Sequence, residues 1–328
     1  MVHEYQLRPL PNPDQCEGYP PSMTVDRPQC EINFLLDIKL EHGSSTSKAI
    51  KDTLACSLIV RVDQNYSNDD AISTEKLPSQ IDKSKPVIII CHGSFSWRNQ
   101  MLISNLASKL CTTMDLHTLR FDFTGNGHSP GEWKYFNVIQ DYIDLCKIVD
   151  FVKSYLKCEI CCIIGHSFAS TSILQYAATN ATLEQDGLEM SCIKFVNLAG
   201  RFITPNEPSS FSADDLRQLK IEGCFYLKHP FEDRRITKFK ITKEQMDLRN
   251  NYDTHQIVKA FGRSNSRIRV LTIHGNKDKV VNVVNANKYD KRIANHTLHV
   301  IDGASHNFNG TKFHGILVEV ISSFLNQK

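Results

Sequence analysis

The chain has 328 residues, of which 41% are apolar and 23% are charged. A globular protein of this size can bury a large core, so it needs neither disulfides nor a structural metal to fold. Lysine and arginine total 38 against 36 acidic residues, which leaves a formal net charge of +2. This balance excludes nucleic acid as an expected partner, because nucleic-acid-binding proteins usually carry a strong basic excess.

The apolar segments and the cysteines predict a cytoplasmic protein with no stable membrane insertion. The longest apolar runs, such as VIIIC at 87–91, have the length of a strand and are too short to span a bilayer. The N-terminal residues are polar and rich in proline, unlike a secretory signal or a transit peptide. The cysteines number 11, an odd count that favours free thiols in a reducing compartment. Oligomeric partners are left open by the sequence.

The first 85 residues contain few regular elements. Residues 1–30 hold six prolines and are predicted to form an irregular arm, followed by a single domain over 31–328. Two strand-like runs at 32–40 and 54–62 predict an antiparallel hairpin with a long connection. The polar stretch 63–85 is expected to be a surface loop.

Short apolar runs alternate with helical periodicity from Pro86 onward. The predicted strands are PVIIICHG, LHTLRFDF, EICCIIG, IKFVNLAG, RVLTIHG and TLHVID. The predicted helices are residues 98–114 and 137–157, the segments SILQYAATN and VVNANKYDKRI, and residues 313–325. This alternation predicts an α/β fold with a mostly parallel central sheet and helices on both faces.

Residues 201–262 interrupt the alternation. They include the helix-like segment SADDLRQLK, with Ser212 as its expected N-cap, and the irregularly alternating segment KHPFEDRRITKFKITK. An insertion between the strands of an open sheet commonly covers the ligand crevice, so a lid is expected here. The basic excess from Lys228 to Lys243 is either a solvated face or a means of attracting an anionic substrate such as an acyl-CoA.

The segment IIGHSFAS contains the candidate nucleophile, Ser167, between a predicted strand and a predicted helix. Small residues at Gly165 and Ala169 let the chain turn sharply and present the serine hydroxyl above the sheet. Alanine at the second of these positions departs by one methyl group from the usual G-x-S-x-G pattern. An ordinary serine in a strand-to-helix turn is the alternative.

A serine nucleophile needs a general base and an acid that orients the base. His306 follows the last predicted strand, and Asp278 follows the strand before it. A solvated loop histidine and a turn aspartate are the alternatives for these two residues. Because all three side chains follow the carboxyl ends of predicted strands in the order Ser, Asp, His, we predict that they form a catalytic triad.

Two backbone N–H groups are expected to bind the oxyanion that forms during acyl transfer. One belongs to Phe168, and the other belongs to Ser94 or, as the alternate, to Phe95 in the segment CHGSFSW. Phe95 and His166 are also predicted to contact the substrate. His166 adjoins a motif glycine, as His92 and His274 do, so packing and hydrogen bonding are the alternative roles for these histidines.

Two further patterns are expected to be structural. Gly125, Gly127 and Gly131 lack the spacing of a phosphate-binding loop. Cys158 and Cys161 have no second cysteine pair nearby that would complete a metal or redox site. We therefore expect neither a cofactor nor a metal.

These segments together resemble the α/β-hydrolase fold, and more narrowly the cinnamoyl/feruloyl-esterase-like predicted esterases. The resemblance is carried by PVIIICHGSFSWRNQ, LRFDFTGNGHSPGEW, IIGHSFAS, LTIHGNKDKVV and IDGASHNF, and it extends from about Pro86 to the C-terminus. It implies that Ser167 is the nucleophile, His306 the general base and Asp278 its orienting acid, with Ser94 and Phe168 in the oxyanion hole. Phe168 stands where glutamine is frequent in that family.

The sequence thus predicts a serine esterase that hydrolyses esters of small or medium acyl or aryl groups, with a small-molecule ester as its partner. An acyl thioesterase and a monoacylglycerol-type lipase are alternatives within the same class. A ligand-binding protein that kept the fold but lost turnover is the alternative from another class.

Overall fold

The structure, a computed structural model, describes residues 3–10, 31–40, 51–61, 74, 77–185, 193–209, 211–230, 236–260 and 267–327. Its strands are His3–Pro9 (β1), Glu31–Leu40 (β2), Lys51–Ile59 (β3), Val87–Cys91 (β4), His117–Phe121 (β5), Ile160–His166 (β6), Lys194–Leu198 (β7), Cys224–Pro230 (β8), Ile236–Thr242 (β9), Arg269–Gly275 (β10) and His296–Ile301 (β11). Its helices are Leu77–Gln80 (α1), Met101–Met114 (α2), Val138–Asp150 (α3), Ala169–Gln185 (α4), Ala213–Glu222 (α5), Lys243–Asn251 (α6), Thr254–Lys259 (α7), Val284–Asp290 (α8) and Thr311–Asn326 (α9). A π-helical segment, Phe151–Leu156, continues α3.

Nine strands of the described ranges form one sheet in the order β1-β2-β3-β5-β4-β6-β7-β10-β11. Six neighbouring strands are parallel to one another: β5, β4, β6, β7, β10 and β11. The other three, β1, β2 and β3, extend the sheet beyond β5 by antiparallel pairing. The mostly parallel sheet is confirmed, as is the antiparallel hairpin of β2 and β3. Residues 63–73 and 75–76 of the predicted surface loop 63–85 lie outside the described residues. The prediction is wrong for residues 77–80, which form α1 and bury Leu77 completely.

Alternating side chains of the central strands face two separate cores. Ile88 and Ile90 of β4 pack with α2 and α9, whereas Ile89 packs with α3 and α4 on the opposite face. All three side chains are fully buried. Because both faces of a parallel sheet are covered by helices, its strands are apolar throughout, which is why their positions were readable from the sequence.

The prediction of an irregular arm over residues 1–30 is wrong for residues 3–9, which form the edge strand β1. This strand pairs with β2 from the pair His3–Leu40 to the pair Pro9–Phe34. Tyr5 and Leu7 pack against the core beneath the sheet. Proline is compatible with this position because it ends an edge strand, where its missing N–H breaks no interior ladder. Residues 11–30 of the predicted arm lie outside the described residues.

The interruption at 201–262 contains α5, the hairpin of β8 and β9, α6 and α7, placed between β7 and β10. Ser212 caps α5 as expected, and its hydroxyl accepts the N–H of Asp215. Phe225 and Ile241 of the hairpin are fully buried, whereas Lys228 and the other described lysines of the hairpin are exposed. The imperfect alternation in the sequence therefore reflects a hairpin with one apolar face. In the described ranges no helix has the length and apolarity to cross a bilayer.

Gly275 is expected to tolerate no side chain, because it packs against the loop that follows β11. A Cβ atom there would lie 2.2 Å from the carbonyl oxygen of Ala304. Gly275→Ala should therefore lower the free energy of unfolding by about 1–3 kcal/mol, measured by urea denaturation. Gly315 of α9 is the matched control, since a Cβ atom there meets nothing within 4 Å. Gly315→Ala should raise the free energy by about 0.5–1 kcal/mol, and equal midpoints for the two variants would contradict this packing argument.

Candidate active site

The candidate residues lie at the carboxyl edge of the sheet. Ser94, Ser167, Asp278 and His306 follow β4, β6, β10 and β11 respectively. These four strands are parallel members of one sheet, so their carboxyl ends meet at the same edge. Residues separated by up to 212 positions in the chain are brought together in this way.

Ser167 occupies a sharp turn between β6 and α4. Its φ is 54°, in the left-handed region that few side chains adopt. A Cβ atom on Gly165 would lie 2.8 Å from the carbonyl group of Ala169, and one on Gly93 would lie 2.9 Å from the Cβ of Ser167. Glycine is thus required two residues before the serine and at position 93 in the loop that packs against it, whereas Ala169 is accommodated as the buried first residue of the helix. Backbone strain of this kind persists where surrounding structure holds it, often at functional sites.

The side chains of Ser167, His306 and Asp278 form a continuous hydrogen-bonded chain. The Nε2 atom of His306 lies 2.9 Å from the Oγ of Ser167, and its Nδ1 lies 2.8 Å from the Oδ2 of Asp278. The other carboxylate oxygen of Asp278 accepts the N–H groups of Val280 and Val281, each at 2.8 Å. With Nδ1–H donating to the carboxylate, Nε2 is free to accept the serine proton.

Asp278 is held ionised by its neighbours. Burial would raise the pKa of this carboxyl group, but hydrogen bonds from His274 and His306 outweigh burial and hold the pKa far below its usual range. The Nε2 of His274 lies 3.2 Å from the Oδ2 of Asp278 and 2.8 Å from the carbonyl oxygen of Val281. An anionic partner for His306 stabilises the imidazolium that forms when the base takes a proton.

Sequence reasoning missed His274 as a direct partner of Asp278. The sequence feature that could have indicated this contact is the position of His274 four residues before the aspartate in HGNKD, at the end of a buried strand. The expected role of packing and hydrogen bonding for this histidine is consistent with that contact.

The loop after β4 has a defined backbone orientation. The Nδ1 of His92 lies 2.8 Å from the carbonyl oxygen of Gly93, and its Nε2 accepts the N–H of Phe123 at 3.2 Å. With Nε2 accepting, Nδ1–H donates to the Gly93 carbonyl and fixes the plane of the peptide that joins Gly93 to Ser94. In a trans peptide the N–H points opposite to the carbonyl, so His92 sets the direction of the Ser94 N–H.

The expected oxyanion donors and Ser167 line one cavity. Ser94, Phe95 and Phe168 all contribute to its wall, and its volume is about 500 Å³. Within the described ranges, no hydrogen bond engages the backbone N–H of Ser94 or Phe168. Both groups are therefore available to a ligand oxygen.

The insertion forms one wall of this cavity through the inner face of its hairpin. The ring of Phe95 stacks on His229, with centroids 5.0 Å apart, and meets the edge of Phe239 at 4.9 Å. Leu227 and His229 line the cavity, while the adjacent Lys228 is exposed on the other face. The basic residues of the described hairpin thus face water, as expected for a solvated face.

His166 contacts the loop of the candidate base. Its Nε2 donates to the carbonyl oxygen of His306 at 3.0 Å, and the two rings have centroids 5.1 Å apart. His166 borders the cavity, although only 2% of the residue is exposed, and its predicted contact with the substrate stays a prediction. Burial, with a smaller contribution from the nearby His306 ring, lowers the pKa of His166 to about 3.

Replacing His166 with glutamine is expected to flatten the dependence of stability on pH. In the unfolded chain a histidine binds a proton below about pH 6.5, whereas the folded His166 does not bind one until pH about 3. Its contribution to stability is therefore complete above pH 6.5 and is lost as the pH falls. Between pH 7 and 5, the free energy of unfolding should fall by about 2 kcal/mol more in the wild type than in His166→Gln. If urea denaturation shows that wild type and His166→Gln lose the same free energy of unfolding between pH 7 and 5, the lowered pKa of His166 is contradicted.

A strand–serine–helix turn at the carboxyl edge of a sheet with this strand order defines the α/β-hydrolase fold. Residues 86–221 match a family model described as alpha/beta hydrolase fold. No curated protein sequence matches the chain significantly.

Solved structures similar to this chain share the same architecture. The ferulic acid complex of Est1E from Butyrivibrio proteoclasticus has a TM-score of 0.56 at 17% identity, over 83% of this chain and 94% of that chain. A putative hydrolase from Agrobacterium vitis S4 has a TM-score of 0.61 at 15% identity, over 92% and 100%. A monoacylglycerol lipase from Paleococcus ferrophilus has a TM-score of 0.51 at 19% identity, over 74% and 95%. The chain has the α/β-hydrolase fold that the resemblance implied.

Proposed function

We propose that this protein is a serine hydrolase that cleaves carboxylic esters through an acyl-enzyme. The observation that carries the proposal is the hydrogen-bonded chain from Ser167 through His306 to Asp278, beside two unengaged backbone N–H groups. A nucleophile, an oriented base and oxyanion donors around one cavity are the parts that acyl transfer requires.

The reaction begins when the Oγ of Ser167 attacks the ester carbonyl carbon and its proton passes to the Nε2 of His306. The N–H groups of Phe168 and Ser94 bind the resulting oxyanion, and Asp278 remains ionised beside the imidazolium. Collapse of this intermediate breaks the bond to the alcohol, which leaves with the proton of His306. A water molecule then gives a proton to His306 and attacks the acyl-enzyme, and the carboxylic acid leaves as Ser167 regains its proton.

The proposed substrate is a small molecule with an apolar acyl or aryl group. Six phenylalanine, tyrosine and tryptophan side chains line the cavity, including Phe95, Tyr135 and Phe136, and so do Arg201 and Arg249. A volume of about 500 Å³ lies within the usual range for small-molecule sites.

An ester is favoured over an acyl-CoA, because the exposed Lys228 and Lys240 lie on the face of the hairpin opposite the fully buried Phe225. The two arginines of the cavity lining, Arg201 and Arg249, donate hydrogen bonds to backbone carbonyl groups of the protein.

The proposed domain organisation is one hydrolase domain over 31–328, with residues 201–262 inserted as a lid. The position of the insertion between β7 and β10, and the inner face of its hairpin over Phe95, support this role. A cytoplasmic location is also proposed. It is supported by the eight cysteines of the described ranges, all of which are free thiols.

A fluorophosphonate probe tests the proposal directly. The probe should react with Ser167, whose oxygen displaces fluoride from phosphorus, and mass spectrometry of the digested protein should find the adduct on the peptide containing that serine. Ser108→Ala, which changes a serine of α2 outside the cavity lining, should label at the wild-type rate. Absence of both labelling and turnover of p-nitrophenyl esters in the pure protein would favour a ligand-binding protein instead. Parallel assays with acyl-CoA and monoacylglycerol separate the thioesterase and lipase alternatives.

A further inference from the structure

A second, apolar cavity lies beside the first, between α3, α4 and α6. Its volume is about 340 Å³. Its lining residues are uncharged, and they include Phe136, Ile139, Leu248 and Tyr252. We refer to this cavity as the side groove. Ile139 and Leu248 are 69% and 55% exposed, so the groove opens to water across an apolar rim.

One side chain, Phe136, lines both the active-site cavity and the side groove. Its ring lies between Phe168 on one side, with centroids 5.1 Å apart, and Tyr252 on the other, with centroids 5.4 Å apart. Phe136 is only 6% exposed, so its ring fills the space between the two cavities. Its side chain has no polar atom, so rotation of the ring would break no hydrogen bond.

The backbone at Phe136 is held in an unfavourable conformation. Its φ is 58°, which for a bulky aromatic residue costs on the order of 1–3 kcal/mol. This conformation places the ring next to Phe168, whose N–H is an expected oxyanion donor. Strained residues cluster at ligand clamps and switch regions, which is a reason to look for a function at this position.

We propose that Phe136 is a gate, and that the side groove binds the distal part of a long, linear acyl chain whose carbonyl group lies at Ser167. The inference rests on the proposed ester hydrolysis and specifies its substrate as an ester of a long-chain fatty acid. Because Phe136 is a wall of both cavities, the groove lies next to the site of the reacting carbonyl, which favours a part of the substrate over a separate partner. The uncharged lining suits a hydrocarbon tail, because a charged group would lose its hydration there without gaining an ion pair.

The test compares the ratio of kcat/KM for p-nitrophenyl dodecanoate to kcat/KM for p-nitrophenyl butyrate, each below its critical micelle concentration. This ratio does not depend on the fraction of active enzyme. Each methylene group of the acyl chain that is buried in the transition state should raise kcat/KM about fourfold. Ile139→Glu places a carboxylate at the rim of the groove and should lower the ratio about tenfold. Phe136→Ala opens the gate and should raise the ratio at least threefold.

Ile221→Glu is the matched control, because Ile221 is 71% exposed and lines neither cavity. Its ratio should equal that of the wild type. A change of less than threefold in the ratio for Ile139→Glu overturns the side groove as an acyl site, even if Phe136→Ala fails to fold. If Phe136→Ala folds and its ratio does not rise, the gate is overturned. A wild-type protein that hydrolyses neither ester would instead refute the proposed function.

Discussion

Replacing Ser167 with alanine is expected to lower kcat for p-nitrophenyl butyrate by about 10⁵-fold. The variant loses the oxygen that is proposed to attack the ester carbonyl and that lies 2.9 Å from the Nε2 of His306. The oxyanion donors belong to the backbone and remain, so the residual rate should still exceed that of the uncatalysed reaction. Steady-state assays of purified protein, with enzyme concentrations high enough to detect the residual rate, would measure the loss.

The fold should survive this substitution, because alanine has the same Cβ as serine at a position whose φ is 54°. Urea denaturation should therefore give a midpoint close to that of the wild type, which separates loss of chemistry from loss of structure. Ser108→Ala provides the matched control and should keep full activity. Pure Ser167→Ala retaining more than a hundredth of wild-type kcat would refute the nucleophile assignment.

Replacing Asp278 with asparagine is expected to lower kcat by about 10⁴-fold near pH 7. Asparagine keeps the shape of the side chain, but its NH₂ group can donate to the Nδ1 of His306. The imidazole proton then moves to Nε2, which can no longer accept the proton of Ser167. Asp302→Asn is the matched control, because Asp302 is exposed and accepts a hydrogen bond from Asn276 outside the proposed triad. Comparable kcat values for the two variants would contradict the orienting role.

The same variant should also change the dependence of stability on pH. Despite burial, hydrogen bonds from His274 and His306 hold the pKa of Asp278 far below the value of about 3.9 expected in the unfolded chain. The contribution of the carboxylate to stability is therefore complete above about pH 5 and declines as the pH falls below about 4. The difference in the free energy of unfolding between wild type and Asp278→Asn should shrink over that range. If this difference in the free energy of unfolding grew as the pH fell, folding would raise the pKa of Asp278 and not lower it, contrary to this prediction.

Most of the central fold could be predicted because its signals are local. The strands β4, β6 and β10 are short apolar runs, and α3 and α9 have a clear helical period. Strand β1 was missed because seven residues beside a proline-rich stretch carry little local signal. Its strand conformation depends on pairing with β2, which lies more than twenty residues away in the chain.

The candidate site was predictable at Ser167, Asp278 and His306 for a similar reason. Each follows a recognisable strand, and parallel strands bring their carboxyl ends to one edge of a sheet. The requirement for glycine at position 165 is also local, since the turn from strand to helix leaves no room for a Cβ atom. Their catalytic roles stay predictions that the assays above will decide.

The sequence by itself determined the class of fold and the order of the candidate residues, because hydrophobic period and turn chemistry are properties of neighbouring residues. The tertiary structure decided the contact of His274 with Asp278, the orientation of the peptide after Gly93 and the position of Phe136 between two cavities. These features arise where segments distant in the chain pack together. A cavity is the space that such packing leaves, so no local pattern in the sequence describes its shape or its walls.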